Sequence, residues 1–292
     1  MRGVFLLFIC SIVPSTWATS QTVVSAPTWI NILDKQALVC QLDTLAPCLA
    51  HLPVDFAQLN ALHPDKISQS IGMKSAMVLS INHGLIAGII VVQPHKEIQI
   101  QTGSLGLKTY SIPLKNQSQL SLWHEVGHLY NIALQGEILP ASLSSYQHEW
   151  LADIYLFWQL AQVEQLEYAW QQLHRRNLAV IHNSDNLSHW SSPQLSKVLH
   201  SDETIRYASE HSYKDFIAYI YPQLPNYSAR DLAEYSSLIQ RTFGAGVVQP
   251  LPNYIFWRQP SLSNVIAPTL HKLMGAKAAQ VWLSQHLGAG TT

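Results

Sequence analysis

The sequence predicts an α+β fold in which a small antiparallel or mixed sheet leads into a mostly helical C-terminal half. Three observations lead there. Residues 75 to 114 hold four short runs of strand character with turn signals between them. From Asn116 onward, apolar residues recur at helical spacing. At the junction stands His124-Glu125-Val126-Gly127-His128, a His-Glu-x-x-His motif inside an apolar helical run. Strands gathered before helices is the α+β arrangement.

Composition narrows the function classes. Of 292 residues, 48% are hydrophobic, ample for a core, and only 12% are charged, about half the usual share. Gln, Ser, Asn and His must carry the polar surface. The net charge is -1 and no Lys/Arg run occurs, which excludes a nucleic-acid partner.

The N-terminus reads as a signal peptide over residues 1–18. Met1-Arg2 is a short positive start. Gly3 to Val13 is apolar and too short to span a bilayer. Pro14 ends it, and Thr16-Trp17-Ala18 offers small residues for cleavage after Ala18. An uncleaved anchor is the alternative. Removal would leave an exported chain, periplasmic or secreted, with no stable membrane span. Cys10 would leave with the signal, and Cys40 and Cys48 would remain as an even pair. A disulfide between them would add roughly 2–3 kcal/mol; two buried free thiols are the other reading.

The mature chain divides into an N-terminal mixed part (19–115) and a helical part (116–292), which form one catalytic unit with the cleft between them. Trp29 to Leu33 is an apolar packing segment, and Pro53 to Leu62 reads as a short helix ended by His63-Pro64-Asp65. Ala76 to Ile81 and Leu85 to Val92 read as a hairpin about Asn82-His83-Gly84. Glu97 to Gln101 alternates as a half-buried strand should; Gly103 to Gly106 is a loop, and Lys108 to Pro113 a fourth strand, so the four form a meander. Ser118 or Ser121 would cap the motif helix, which runs to about Leu134. A second helix spans about Leu143 to Leu173. Later helices cover 192–200, 202–221, 228–243 and 265–287. The polar connections 183–192 and 244–264 are candidate site-forming loops.

The motif has a direct chemical meaning. Residues four apart share one helix face, so His124 and His128 can present two imidazoles to one cation. Glu125 then stands beside the metal, where its carboxylate can take a proton from water. With 14 His in the chain, chance supplies about 0.02 such motifs, so the stretch is read as a site. Zinc needs a third protein ligand. Glu149, in His148-Glu149-Trp150-Leu151-Ala152-Asp153, is the candidate, because an antiparallel helix returns it beside the first two. Asp153, one turn on, is placed to accept the second ring N–H of a ligand histidine. His148 and Glu137 are rival third ligands. Trp150, Tyr155, Phe157 and Trp158 read as core packing.

At these residues the chain resembles the gluzincins, the zinc peptidase clan that includes thermolysin-like enzymes. The likeness covers about 30 residues: His124, Glu125, His128, Glu149 and Asp153 match its pattern position by position. It implies a zincin-like fold, one Zn2+ ion, a peptide or protein substrate and peptide-bond hydrolysis, with Glu97 to Gln101 as the edge strand that pairs with an extended peptide. There are departures. His148 stands where thermolysin-like enzymes carry Asn. Gly72-Met73-Lys74 does not satisfy the aminopeptidase Gly-x-Met-x-Asn signature. Asn131 and Leu134 exclude the metzincin extension.

Within that mechanism Glu125 is the general base and proton shuttle. The oxyanion needs a second donor besides zinc, for which His189 is the first choice and Tyr146, Tyr207 and His211 are rivals. A monomer is expected. The alternatives are a catalytically silent zincin-fold module of the cell envelope, and a hydrolase of a non-peptide or cell-wall amide.

Overall fold

A computed structural model describes residues 28–54, 56, 59–244 and 253–288. The expected signal peptide lies outside them, as does part of the 244–264 connection. The chain is α+β, with a small mixed sheet and a helical C-terminal half.

Two strands that the sequence reading did not separate open the fold: β1 (Thr28–Ile32) and β2 (Lys35–Gln41), joined through Leu33 at φ 53°. Leu33 is thereby exposed in the turn instead of packed. A short helix α1 (Leu45–Leu49) follows, and Cys40 and Cys48 are joined by a disulfide. Pro53 to Leu62 is not an α-helix: Asn60–Leu62 forms a 3-10 turn, and residues 55, 57 and 58 lie outside the described set. The helix begins where the sequence reading ended one. In α2 (Pro64–Ile71), His63 is the N-cap and Pro64 takes the first turn, where its missing N–H costs nothing.

β3 (Ala76–His83) and β4 (Ile86–Val92) form the expected hairpin. They join the first two strands in the order β1-β2-β4-β3, with β2 and β4 parallel. The sheet is therefore mixed and not a meander. Its central strand β4 is a continuous apolar run because both faces are covered. Ile86, Ile89 and Val91 pack with Ile67 and Ile71 of α2, while Ala87 and Ile90 join the core of the helical half.

The last two strands form a separate hairpin, β5 (Ile100–Leu105) and β6 (Lys108–Pro113). This corrects the Glu97 to Gln101 strand: the paired strand begins only at Ile100, and Ile98 and Ile100 are exposed, so the alternation does not mark a buried face. Gly103 lies inside β5, and the turn falls at Gly106 instead. Ile112 of this hairpin packs on Leu178 of the helical half.

Helix α3 (Gln117–Ala133) carries the motif. It starts from Asn116, held at φ 54°, a conformation Asn tolerates, and neither serine caps it. Gly88 of β4 lets α3 approach the sheet: a Cβ there would stand 2.8 Å from Leu129 Cδ2. The expected long second helix is two helices, α4 (Ser145–Gln162) and α5 (Leu166–His182). Glu164 at φ 55° reverses the chain, and Gln165 N–H donates to the Leu160 carbonyl at 2.9 Å, closing the end of α4. A capping box between Ser144 and Gln147 fixes the start of α4. Trp150, Leu151, Ile154, Tyr155, Leu156 and Phe157 are all buried, so α4 is the central post of the helical half.

Among the described residues six more helices follow: α6 (Ser192–Leu199), α7 (Asp202–Glu210) and α8 (Tyr213–Ile220) pack around α4, while α9 (Ala229–Phe243), α10 (Gln259–Met274) and α11 (Ala276–Leu287) form a second core with the end of α5. Two expected single helices are thus broken, 202–221 by Ser212 capping α8 and 265–287 by Gly275 at φ 81°. No helix among the described residues is long and apolar enough to cross a membrane.

Candidate metal centre

α3 and α4 pack closely because Gly127 faces α4. A Cβ there would come within 2.8 Å of Tyr155 Cβ and 2.9 Å of the Ala152 carbonyl oxygen. This close approach brings His124 and His128 of α3 opposite Glu149 of α4. Nε2 of His124 lies 3.4 Å from Oε2 of Glu149, and Nε2 of His128 lies 3.9 Å from Oε1. All three donor atoms fall within 4.8 Å of one another. Ligands held about 2.1 Å from a tetrahedral ion stand about 3.4 Å apart; the His124–Glu149 pair is at that spacing, the other donors stand wider, and the three together could hold a metal ion. The two imidazole planes are nearly perpendicular, at 87°.

Asp153 is the hub behind the donors and is fully buried. Its Oδ1 sits 2.7 Å from Nδ1 of His124, which turns Nε2 toward the cavity. Gln172 donates to Oδ1 at 3.0 Å, and Arg176 grips both oxygens, through Nε at 2.7 Å and Nη2 at 3.1 Å. Ser191 also donates to Oδ2. A buried carboxylate is costly unless it is paired and fully hydrogen-bonded, and these groups meet that need. Sequence reasoning missed Gln172, Arg176 and Ser191. The sequence signal was an Arg pair, Arg175-Arg176, within a helical run of a chain poor in charge.

The electrostatics follow from burial and pairing. Burial opposes ionisation of Glu149 and Asp153, yet their partners win: Glu149 is lowered to about 2, first by its hydrogen bond and charge attraction to His124 and then by His128 and His189, and Asp153 lies well below the carboxylate range through Arg176 and His124. Burial also disfavours a charged His124, but the Asp153 carboxylate overrides it and raises the imidazole to about 9. His128 has no such partner; burial and the charge on His124 lower it to about 3. Glu125 is raised above the ordinary carboxylate range, mainly by burial.

Glu125, His148 and His189 share the cavity wall with the three donors; the cavity holds about 590 Å³. Nε2 of His189 lies 3.5 Å from Oε2 of Glu149. The 183–192 connection therefore reaches the site, folded as a 3-10 turn over Ser184–His189. Of the rivals, His148 lines the cavity but falls outside the three-donor group, and the others lie elsewhere. Tyr146 is buried and donates to the Trp190 carbonyl, Tyr207 stacks on His211, and Glu137 pairs with Lys214 at 2.5 Å. Comparisons with known protein families, curated proteins and solved structures return no match in any of the three.

Proposed function

We propose that the protein is an exported zinc-dependent peptidase with a zincin-like site, in which His124, His128 and Glu149 hold one zinc ion. The convergence of three donor atoms within 4.8 Å, with Glu125 in the same cavity wall, carries the reading. Zinc at such a site supplies Lewis acidity, polarising a carbonyl oxygen and acidifying a water.

The chain's own groups complete the reaction. Glu125, whose proton affinity burial has raised, takes the proton from the attacking water and hands it to the leaving amine. Asp153 sits against Nδ1 of His124, so that Nε2 is the ring nitrogen left to bind the ion in place of its proton. His189, whose pKa partial desolvation at the cavity wall lowers, has one ring N–H in its neutral form to give to the developing oxyanion. An extended peptide pairs with β3, an edge strand whose residues 76–78 and 80 line the cavity, and not with Glu97 to Gln101. The charged, apolar N-terminal run and the Cys40–Cys48 disulfide support export.

The test is zinc content together with cleavage of a generic unfolded protein. Wild type carries one zinc per chain and cleaves; Glu125→Ala keeps the zinc and loses about 10²–10⁴-fold in rate. His124→Ala, His128→Ala and Glu149→Ala each lose the metal, while His148→Ala retains it. Metal retained with no Glu125-dependent cleavage of any peptide in a broad library overturns the peptidase reading.

A further inference from the structure

The wall of the metal cavity holds more cations than the metal ligands and Asp153 use. Lys74, Lys96, Arg175 and Arg176 all line it, four of the 17 basic residues in the chain. Arg176 is occupied by Asp153. Arg175 is not matched in the same way. Its Nη1 donates to the neutral Gln117 Oε1 at 3.0 Å, and among the described residues it forms no ion pair. Glu97 and Asp153 act on it only at longer range, and burial beside Arg176 lowers its affinity for the proton to a pKa of about 10. Lys74 is exposed, is near enough to Glu125 to influence it, and also forms no ion pair among the described residues. Among the described residues, the ammonium of Lys96 lies 3.9 Å from the thioether of Met73 and forms no ion pair.

A guanidinium set into a cavity wall against a neutral amide has bonding capacity left over. Its planar fork fits a carboxylate, and a partly enclosed charge of this kind gains most from an incoming anion. The anions of the same wall, Glu125 and Glu149, are both committed in the peptidase reading, one to proton transfer and one to the metal. What the cavity offers an incoming chain is therefore positive.

We infer that the cavity selects peptides carrying a carboxylate close to the scissile bond, received by Arg175, with Lys74 and Lys96 adding attraction from the exposed part of the wall. The inference rests on the peptidase reading for the scissile bond but not for the anion subsite itself. The carboxylate has two sources, an Asp or Glu side chain or a free C-terminus, and the same group recognises either.

The experiment uses quenched fluorogenic peptides that differ at one position flanking the cleaved bond, Glu against Gln against Lys, each made with a free and an amidated C-terminus. Binding of the same peptides to zinc-loaded Glu125→Ala is followed by fluorescence anisotropy. The expected result is that a carboxylate improves kcat/KM and Kd at least tenfold over the matched neutral peptide, and that added salt erodes the gain. A Glu effect independent of the terminus identifies a side-chain subsite; an effect confined to free termini identifies a carboxypeptidase-like one. Either supports the inference, provided the carboxylate-to-neutral ratio falls toward one in Arg175→Gln and only part-way in Arg175→Lys. The exposed pair Lys74→Gln/Lys96→Gln, which keeps Arg175, lowers the ratio by a smaller factor. Equal cleavage and equal binding of neutral and acidic peptides overturn the subsite while leaving the peptidase standing. Arg175-dependent binding of acidic peptides with no Glu125-dependent cleavage upholds the subsite and removes the peptidase.

Discussion

Nδ1 of His124 lies 2.7 Å from Oδ1 of Asp153 across the contact between α3 and α4. That bond decides which ring nitrogen faces the cavity. Asp153→Asn removes the charge that orients and polarises the imidazole. Zinc affinity should fall about 10- to 100-fold, read by chelator competition. The same change strips Arg176 of its partner, so unfolding in urea should register a loss of about 3–5 kcal/mol. Unchanged zinc affinity in a folded Asp153→Asn protein would reduce the bond to a packing role.

Gly127→Ala sets helix propensity against packing. Alanine favours a helix by about 1 kcal/mol, but its Cβ would stand 2.8 Å from Tyr155 Cβ. Such overpacking costs about 1–3 kcal/mol, and the helices separate to relieve it. The expected outcome is a lower Tm together with weaker zinc binding, because His124 and His128 move relative to Glu149. A variant with wild-type Tm and zinc affinity would show that the contact between the helices has slack.

The Cys40–Cys48 disulfide closes a short loop, with a sequence separation of 8. Replacing both residues by Ala should lower stability by about 2–3 kcal/mol. Zinc content should stay at one per chain, since the bond lies on the α2 side of the sheet with Leu38 and Ile67. Parallel urea unfolding and metal analysis check both halves.

His174 gives the stability a pH dependence away from the metal. It is buried on α5 with Nδ1 3.0 Å from Thr269 Oγ1, and burial, reinforced by Lys272, lowers its pKa to about 4. The unfolded chain binds this proton near pH 6.5, the folded chain only near pH 4. The penalty is therefore absent above pH 6.5, grows as the pH falls toward 4, and levels at about 3 kcal/mol. Unfolding free energies measured from pH 7 to 4 should show a slope in His174→Gln shallower by about one proton than in wild type. Parallel curves would place the pH dependence elsewhere.

The motif and its returning Glu149 and Asp153 were legible because helical spacing alone puts these groups on shared faces. The hairpin of β3 and β4 was legible because β-branched runs flank a turn. The partners of Asp153 were not legible: Arg176, Gln172 and Ser191 reach it only through the reversal at Glu164, a non-glycine at positive φ that has no sequence signature. The same reversal explains why one expected helix is two. The parallel pairing of β2 with β4 was hidden for a related reason, since periodicity describes a strand's faces and not its neighbours. Pro64 misled because proline opens helices as readily as it follows them.

All the groups bonded to Asp153 come from the stretch between His124 and Ser191, at sequence separations of 29, 19, 23 and 38. The polar skeleton of the site is thus low in contact order, and its assembly needs only that three successive helices and the segment leading into α6 fold against one another. The mixed sheet, with its parallel β2–β4 pair, closes over longer loops and is the slower element to form. Pulse-labelled hydrogen exchange during refolding should protect amides of α3, α4 and α5 before those of β2 and β4, so the helices that carry His124, Glu149 and Asp153 assemble before the sheet that supports β3 at the cavity edge.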